Sequence, residues 1–390
     1  MRILHICGSC FYKEGMGYQE NILPKMHFKQ GFETYIMARA QVTYKNNGGK
    51  YAVENYINQD GIPVIIIDYK QFNNCKLLNK ACRILKIYAN ILSQLQSINP
   101  DIIFVHGGQF ASLEVIRKYV KKRKNVKLYI DQHMDYYNEP KGSILMTIVN
   151  KLFGFQMRRC VPYTNKYWGV TPWRCDYLRD VYKIPNNKIG LLVMGGDDDF
   201  IEIDNKTEIR NKIRKQYLVK DEDFCIISGG KIDRAKNIHL LLEAFSRIDS
   251  NQVKLFVFGN ISQEMKDEIE LYIHDERIIY LGWINSHEVY KYYLASDLAV
   301  FPGTHSVLWE QACACGLPGL YKNWPGMHHV DVGGNCRFLS SENTDEIKKC
   351  IEDIINDRNG YIKMKEVAEQ IGEKVFSYKE ISKRAIECNS

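Results

Sequence analysis

Short runs rich in Ile, Val and Phe alternate with longer segments of helical periodicity along the whole chain. This alternation predicts parallel β-sheets whose strands are joined by crossover helices. The strand-like runs of the first half are residues 3–6, 34–37, 64–67, 102–105, 127–130 and 168–170. Those of the second half are residues 224–228, 253–258, 278–281, 298–301 and 319–321. The fold class is therefore predicted to be α/β, with two doubly wound sheets in succession.

The 390 residues suffice for two or three domains. Turn-forming residues concentrate at positions 183–187 and 195–200, which predicts a domain boundary near residue 195. Doubly wound sheets bind ligands at the carboxyl ends of their strands, where the strand order reverses. We therefore expect an active site between two tandem domains.

The composition and the apolar pattern of the sequence indicate the cellular compartment of the protein. Its apolar stretches are all shorter than the roughly 20 residues that a membrane-spanning helix needs. The first residues do not supply the signal-peptide core of roughly 7 to 15 apolar residues. Most of the 12 cysteines lie in apolar contexts that are typical of reduced structural thiols. These observations predict a cytoplasmic protein.

Charge is distributed unevenly between the two halves. Residues 1–180 carry 26 Lys and Arg against 13 Asp and Glu, whereas the remaining residues carry 27 against 33. The basic half would attract an anionic partner such as nucleic acid, a polyphosphate-linked substrate or an anionic membrane surface. No zinc-finger, basic-zipper or RNA-binding pattern accompanies the charge, which argues against nucleic acid.

The strongest local pattern is the basic turn at residues 228–237, which leaves a strand and enters an amphipathic helix. Gly230 lets the backbone approach a ligand closely. Lys231, Arg234 and Lys236 add three cations beside the N–H groups of a helix start, a combination suited to a diphosphate. A solvated basic loop with a glycine turn would give the same pattern.

A second pattern covers residues 301–318, where a strand ends in a Gly-Thr-His-Ser loop and a helix follows. Glu310 lies in the first turns of that helix among apolar residues, so its carboxylate needs a partner. It could accept hydrogen bonds from a ribose, or it could cap backbone groups near the helix start.

These patterns together resemble the retaining glycosyltransferases of family four, which have the GT-B fold. The resemblance rests on the Gly-Gly-Lys turn with its Leu-Leu-Glu-Ala-Phe helix, on Phe-Gly-Asn at 258–260, on Leu-Gly-Trp at 281–283 and on Glu-Gln-Ala-Cys-Ala-Cys-Gly-Leu-Pro at 310–318. In the first half, Gly15-Met16-Gly17 is similar to the family's opening loop. The resemblance implies two Rossmann-like domains that face each other across a cleft.

The resemblance also implies a division of tasks and a donor, a nucleotide-diphosphate sugar. Residues 1–190 would form the acceptor-side domain, residues 191–372 the donor-binding domain, and residues 373–390 a helix that packs back on the first domain. The implied donor-binding residues are Gly15, Gly17, Gly230, Lys231, Arg234, Lys236, Gly259, Trp283, Thr304, His305, Ser306, Val307 and Glu310.

The implied catalytic residues are His133, Lys231, Lys236 and Glu310. His133 follows a strand where the family carries a histidine that faces the donor sugar, although a surface histidine in a polar loop is the alternative. His106, beside two glycines, and Asp135 are acceptor-side candidates.

Two positions depart from the family's pattern. The family usually has arginine where this chain has Lys231, so a point charge replaces a bidentate group. The first of the family's two glutamates is replaced by Pro302, which leaves Thr304, His305 and Ser306 to handle sugar hydroxyls and phosphate.

The implied reaction moves a hexose or N-acetylhexosamine to a glycan or lipid-linked acceptor, with retention of configuration, in surface polysaccharide synthesis. A nucleotide-sugar epimerase of the same fold and an inactive nucleotide-sugar-binding protein are the alternatives. We expect no cofactor and no metal, since the acidic cluster at residues 197–199 has the composition of a solvated hinge. The basic first domain, with cations at 117–124 and 158–159, could contact an anionic membrane at the inner face of the cytoplasmic membrane.

Overall fold

The computed structural model describes residues 1–44, 48–51, 54–73, 75–140 and 142–387. The chain divides into two compact units. The first unit is Met1–Val193 together with Ser382–Ser390, and the second unit is Met194–Ile381. Each unit is built on its own sheet.

The first unit has a mainly parallel sheet in the order β4-β5-β2-β1-β6-β7-β8-β9, with β3 paired to β2. Strands β3 and β4 pair antiparallel to their neighbours. The strands are β1 (Arg2–Lys13), β2 (Glu33–Tyr44), β3 (Gly48–Tyr51), β4 (Tyr56–Ile57), β5 (Pro63–Ile66), β6 (Ile102–Val105), β7 (Lys127–Gln132), β8 (Lys166–Gly169) and β9 (Ile189–Leu191). The helices are α1 (Gln19–Lys29), α2 (Lys76–Leu85), α3 (Ile91–Ile98), α4 (Leu113–Lys122), α5 (Ile144–Cys160) and α6 (Pro172–Asp180).

The second unit has a wholly parallel sheet in the order β12-β11-β10-β13-β14-β15, which is the strand order of a Rossmann domain. Its strands are β10 (Phe224–Gly229), β11 (Val253–Phe258), β12 (Ile278–Gly282), β13 (Leu298–Phe301), β14 (Gly319–Lys322) and β15 (Cys336–Leu339). Its helices are α7 (Lys206–Gln216), α8 (Ile238–Ser246), α9 (Lys266–Glu270), α10 (Val289–Ala295), α11 (Leu308–Ala314), α12 (Thr344–Asn356), α13 (Arg358–Val367) and α14 (Glu373–Val375). The last helix, α15 (Tyr378–Ile386), begins in the second unit and ends in the first.

Both sheets are buried by helices, which explains why their central strands are nearly continuous apolar runs. In β6, all four residues from Ile102 to Val105 are buried, as are all four of β13. Every strand predicted from the sequence is present, and the predicted α/β class with two Rossmann-like sheets is confirmed. The strands that the sequence analysis did not predict are β3, β4, β9 and β15, which are short or lie at the sheet margins.

The last described residues belong to the first unit. The hydroxyl of Tyr129 donates to the carbonyl of Ile386 at 2.6 Å, and the indole N–H of Trp168 donates to the carbonyl of Ala385 at 3.0 Å. The end of α15 thus completes the hydrogen bonding of buried side chains on β7 and β8.

The acidic cluster at residues 197–199 is not the solvated hinge that we expected. Asp197 is buried, and the carboxylate of Asp198 accepts hydrogen bonds from the Ser377 hydroxyl at 2.5 Å and the Lys379 backbone N–H at 2.8 Å. Burial raises the pKa of Asp198. The sequence could not show this, because the partners lie about 180 residues further along the chain.

Within the described part of the chain, no helix combines the length and the apolar character that crossing a membrane requires.

Candidate active site

The two sequence patterns of the second unit follow adjacent strands. Strands β10 and β13 pair directly, although β11 and β12 lie between them in the chain. The strand order reverses at this pair, so the basic turn after β10 and the Gly-Thr-His-Ser loop after β13 emerge at the switch point of the sheet. This is where a Rossmann domain binds its ligand.

Glycines let the two loops and the neighbouring turn approach closely. Gly230 and Gly259 have φ of +109° and +122°, which side chains rarely adopt. A Cβ on Gly259 would lie 1.7 Å from the carbonyl oxygen of Gly230, and one on Gly303 would lie 2.3 Å from the backbone of Lys236. Gly259 and Gly303 are therefore required by close backbone packing at the carboxyl edge of the sheet, whereas Gly230 is required by its positive φ.

Lys236 joins the two loops. Its ammonium donates to the carbonyl of Thr304 at 2.7 Å and to that of His305 at 3.3 Å. The backbone N–H of Thr304 in turn donates to the carbonyl of Ala235 at 2.9 Å. Burial lowers the pKa of Lys236, and the nearby carboxylate of Asp233 opposes that shift. A largely buried cation thus lies at the sheet edge, held by carbonyl dipoles.

The other cations of the basic turn are on the surface. The ammonium of Lys231 is 73% exposed and lies 3.1 Å from Asp233, whereas Arg234 pairs with Glu268 at 2.9 Å. Either side chain would have to leave its carboxylate to contact a diphosphate. Trp283, after β12, is also exposed.

The remaining residues that were predicted to bind the sugar donor lie in two different places. Ser306 and Val307 form the turn that begins α11, with their carbonyls accepting from the N–H groups of Trp309 and Gln311. Gly15 and Gly17 lie in the first unit, in the turn between β1 and α1, and Gly15 has a φ of +77°.

Glu310 is fully buried on α11 and is held by two histidines. Its Oε1 atom lies 2.8 Å from the Nε2 of His305 and 2.9 Å from the Nε2 of His329. Burial alone would raise the pKa of Glu310, but His305 and His329 hold it well below its ordinary value. Glu310 thus remains ionised through interactions with two side chains, which leaves the helix-capping alternative without support.

Several buried polar atoms of the second unit have no hydrogen-bond partner among the described residues. They include the second carboxylate oxygen of Glu310, the Nδ1 of His329, the indole N–H of Trp309 and the hydroxyl of Ser228. Buried polar atoms are normally satisfied, so unpaired ones mark a place where a polar ligand or water completes the bonding. The Oε2 atom of Glu310 is an acceptor of the kind that ribose hydroxyls require.

His305, Glu310 and His329 also form a group with the chemistry of metal ligands, since their ligand atoms lie within 4.8 Å of one another. Two imidazoles and a carboxylate occur in zinc sites. Here both Nε2 atoms face the same carboxylate oxygen, an arrangement that the hydrogen bonds already explain. Our expectation that no metal is needed stays a prediction.

In the first unit, His133 follows β7 and is partly exposed, with its Nε2 atom 3.3 Å from Oδ2 of Asp131. Its carbonyl accepts from the guanidinium of Arg174 at 2.9 Å. Burial lowers the pKa of His133, but the carboxylate of Asp131 outweighs that effect and raises it. The structure thus gives His133 a buried anionic partner.

The acceptor-side candidates lie deeper than we expected. His106 is 1% exposed, and both of its ring nitrogens are engaged, one by Asp131 and one by His5. Asp135 is buried, pairs with Arg174 at 3.2 Å and accepts from the backbone N–H groups of Tyr137 and Asn138. Direct contact with an acceptor does not fit either position, because neither side chain offers a free polar atom at the surface.

The sequence analysis missed Asp131, His5, His27 and His329. Each of His5 and Asp131 is a polar residue within an otherwise apolar strand, and parallel pairing in register brings β1, β6 and β7 side by side. That signal was available in the sequence. His329 contacts Glu310 because its loop packs against α11, and no sequence motif indicates that contact.

Residues 209–374 match the family model described as Glycosyl transferases group 1. This segment is therefore similar in sequence to group 1 glycosyl transferases. It contains the basic turn, Lys236, Glu310 and His329, so the candidate site of the second unit lies within the matched region.

Two curated relatives match part of the chain. Over 126 residues it is 31% identical to the N-acetylgalactosamine-N,N'-diacetylbacillosaminyl-diphospho-undecaprenol 4-alpha-N-acetylgalactosaminyltransferase of Campylobacter jejuni, covering 30% of this chain and 32% of the relative. Over 188 residues it is 22% identical to an uncharacterized glycosyltransferase of Methanocaldococcus jannaschii, covering 45% and 47%. The chain thus matches less than half the length of either relative.

A solved structure matches nearly the whole chain. The crystal structure of Anabaena HepE in complex with UDP superimposes with a TM-score of 0.68 at 16% identity, and the match covers 98% of both chains. At this identity the likeness concerns the fold, and it agrees with the predicted GT-B class.

Proposed function

We propose that this chain is a retaining glycosyltransferase that moves a hexose or N-acetylhexosamine from a nucleotide-diphosphate sugar to a glycan or lipid-linked acceptor in surface polysaccharide synthesis. The observation that carries the proposal is that Lys236 and Glu310 both contact the loop after β13, Lys236 through the carbonyls of Thr304 and His305 and Glu310 through the His305 ring, within the region that matches the group 1 glycosyl transferase model. One supplies a fixed positive charge, and the other supplies an unpaired acceptor oxygen.

In this proposal the leaving diphosphate is stabilised by cations. Glycosyl transfer builds negative charge on the leaving phosphate and positive charge on the sugar, so positioned charges lower the barrier. Lys236 is already held by two carbonyls, and Lys231 would turn from Asp233 toward the phosphate. The Oε2 atom of Glu310 would accept from the ribose. No metal enters the proposed reaction.

His133 of the first unit is the second proposed catalytic residue. Its raised pKa and its pairing with Asp131 let it carry a proton near neutral pH. A protonated imidazole can donate a hydrogen bond to an oxygen of a sugar or of a phosphate. His106 and Asp135 would act behind it rather than on the acceptor.

A lipid-linked acceptor requires contact with a membrane, and α5 offers a surface for it. Exposed apolar side chains follow helical spacing along one face at Ile144, Ile148, Leu152 and Phe155. Lys151 and Arg158 are exposed on the same helix. We propose that this face, called the α5 apolar face, binds an anionic lipid surface through apolar burial and cation attraction. Among the cations of α4, Arg117 is already paired with Glu114 at 2.7 Å.

The test is a panel of UDP-, GDP-, ADP- and CMP-sugars. A ligand that binds the folded state raises the unfolding temperature, and at equal concentration a tighter ligand raises it further. We expect one nucleotide class to stabilise the protein. We also expect its sugar to be transferred to an acceptor with retention of the anomeric configuration, which NMR of the product measures. Turnover of the sugar nucleotide to its epimer without an acceptor would favour the epimerase alternative. Binding without any turnover would favour an inactive binding protein.

A further inference from the structure

Three buried histidines of the first unit form an unbroken chain that ends on Asp131. The carbonyl of Ser382 lies 2.9 Å from Nε2 of His27, and Nδ1 of His27 lies 3.0 Å from Nε2 of His5. Nδ1 of His5 lies 3.0 Å from Nε2 of His106, whose Nδ1 lies 3.0 Å from Oδ2 of Asp131. All three rings are at most 1% exposed.

The two ends of this chain determine how many protons it holds. The Ser382 carbonyl and an ionised Asp131 carboxylate can only accept hydrogen bonds, whereas each imidazole nitrogen either donates or accepts. The four contacts therefore need four protons. Three neutral imidazoles carry one proton each. The three histidines are therefore one proton short of what the four hydrogen bonds need, unless one ring is an imidazolium.

We propose that His27, His5 and His106 together carry one proton more than their neutral forms, and that this buried cation sets the charge with which Asp131 acts on His133. His27 and His5 are then positioning residues, since they act on His133 through His106 and Asp131. The catalytic meaning of the proposal rests on the proposed function, but the proton count does not.

The excess proton belongs on His106, the ring that contacts the carboxylate. Burial lowers the pKa of His5, and burial lowers the pKa of His27 to about 4, so both favour the neutral form. Burial alone would raise the pKa of Asp131, but His133 and His106 hold it well below its ordinary value. The cation and the carboxylate thus compensate each other where neither is hydrated.

Other charged and titratable groups also face this site. Glu20 of α1 favours the charged form of His133, and Arg174 of α6 opposes it. The buried thiol of Cys7 on β1, whose pKa is raised by a hydrogen bond with the Cys10 side chain and by burial, is neutral. Asp131 is the group that contacts both His106 and His133.

Two substitutions of His27 separate the proton count from packing. In His27→Gln the amide N–H can still donate to Ser382 and the amide oxygen can still accept from His5, so the excess proton is retained. In His27→Phe both contacts are lost, and two neutral rings satisfy the two contacts that remain. Without the cation, Asp131 attracts the proton of His133 more strongly, and the pKa of His133 rises.

The experiment is ¹⁵N NMR of protein labelled in its histidine rings, with signals assigned through His5→Gln and His106→Gln variants. An imidazolium has two protonated nitrogens and a neutral ring has one, so the spectra distinguish them. We expect one imidazolium in the chain at neutral pH in the wild type and in His27→Gln, and none in His27→Phe. His274→Gln, which removes an exposed histidine bonded to Glu270, should leave the chain signals unchanged.

The titration of His133 is followed in the same spectra without any substrate. We expect its midpoint to move to higher pH in His27→Phe and to stay unchanged in His27→Gln. A wild-type spectrum in which all three chain rings are neutral, with the fourth proton on Asp131, would overturn the proposal. An imidazolium that persists in folded His27→Phe would overturn it as well. Absence of transferase activity would instead count against the proposed function alone.

Discussion

The ammonium of Lys236 donates a 2.7 Å hydrogen bond to the backbone carbonyl of Thr304, and this bond ties the loop after β10 to the loop after β13. Because the two strands are neighbours at the switch point, one side chain fixes both walls of the candidate donor site. A cation in this position needs little rearrangement to meet a diphosphate, since its side chain is already ordered.

Replacing Lys236 by Met should reduce turnover of the nucleotide sugar roughly 100-fold to 1000-fold, because one preorganised charge at the leaving group is lost. Steady-state kinetics with the donor found by the ligand panel would measure this. Lys291→Met, which removes an exposed lysine of α10, is the matched control and should keep the wild-type rate. Equal rates for both variants would contradict the role of Lys236.

Replacing Glu310 by Gln should weaken nucleotide binding, because an N–H donor can then occupy the place of the unpaired Oε2 acceptor. Calorimetric titration with the free nucleoside diphosphate measures the loss directly. Glu288→Gln, at an exposed position before α10, should bind as the wild type does. Unchanged affinity in Glu310→Gln would remove Glu310 from the ribose site.

The same substitution has a consequence for stability that depends on pH. The folded-state pKa of Glu310 lies below its ordinary value, so its ionised form stabilises the native state above the unfolded-state pKa. That stabilisation is lost as pH falls through the acid range. The difference in free energy of unfolding between wild type and Glu310→Gln should therefore be larger at about pH 7 than at about pH 4. Urea unfolding at the two pH values tests the sign, and a difference that grows on acidification would contradict it.

Treatment with EDTA should leave turnover unchanged. In the structure, His305 and His329 both face Glu310 through their Nε2 atoms, and a metal would have to displace those hydrogen bonds. Activity is compared before and after chelation, with a magnesium-dependent enzyme treated in parallel. Loss of turnover that one divalent ion restores would show that the three side chains hold a metal.

The α5 apolar face should control binding to anionic vesicles. Ile148→Asp with Leu152→Asp places two charges on the face and should abolish cosedimentation with vesicles that contain phosphatidylglycerol. Ile57→Asp changes an isoleucine on β4 that is more exposed than Ile148, and it should bind as the wild type does. Identical binding by all three proteins would show that α5 does not contact lipid.

The sheets could be predicted from the sequence because their central strands are buried on both faces and therefore read as apolar runs. The marginal strands lack that signal. Strand β4 has two residues, and β15 includes Arg337 between apolar neighbours. Their positions are set by pairing with the strand next to them in the chain, as β15 pairs with β14.

The parts of the candidate site whose residues lie close together in the sequence could be predicted. The basic turn and the Glu310 helix each lie within about ten residues of a strand end, and the switch-point rule then brings them together. The histidine contacts were not predictable in this way. His5 meets His106 across 101 residues of sequence, and His329 reaches Glu310 from a separate loop. Such contacts follow from tertiary packing rather than from spacing.

The segment from Ser382 to Ile386 supplies carbonyl acceptors to His27, Tyr129 and Trp168. Residues 1–193 of the first unit therefore cannot satisfy all of their buried donors until residue 386 has left the ribosome. Because residues 382–386 are synthesised after residues 194–381, the second unit can reach its native structure before these last hydrogen bonds of the first unit form.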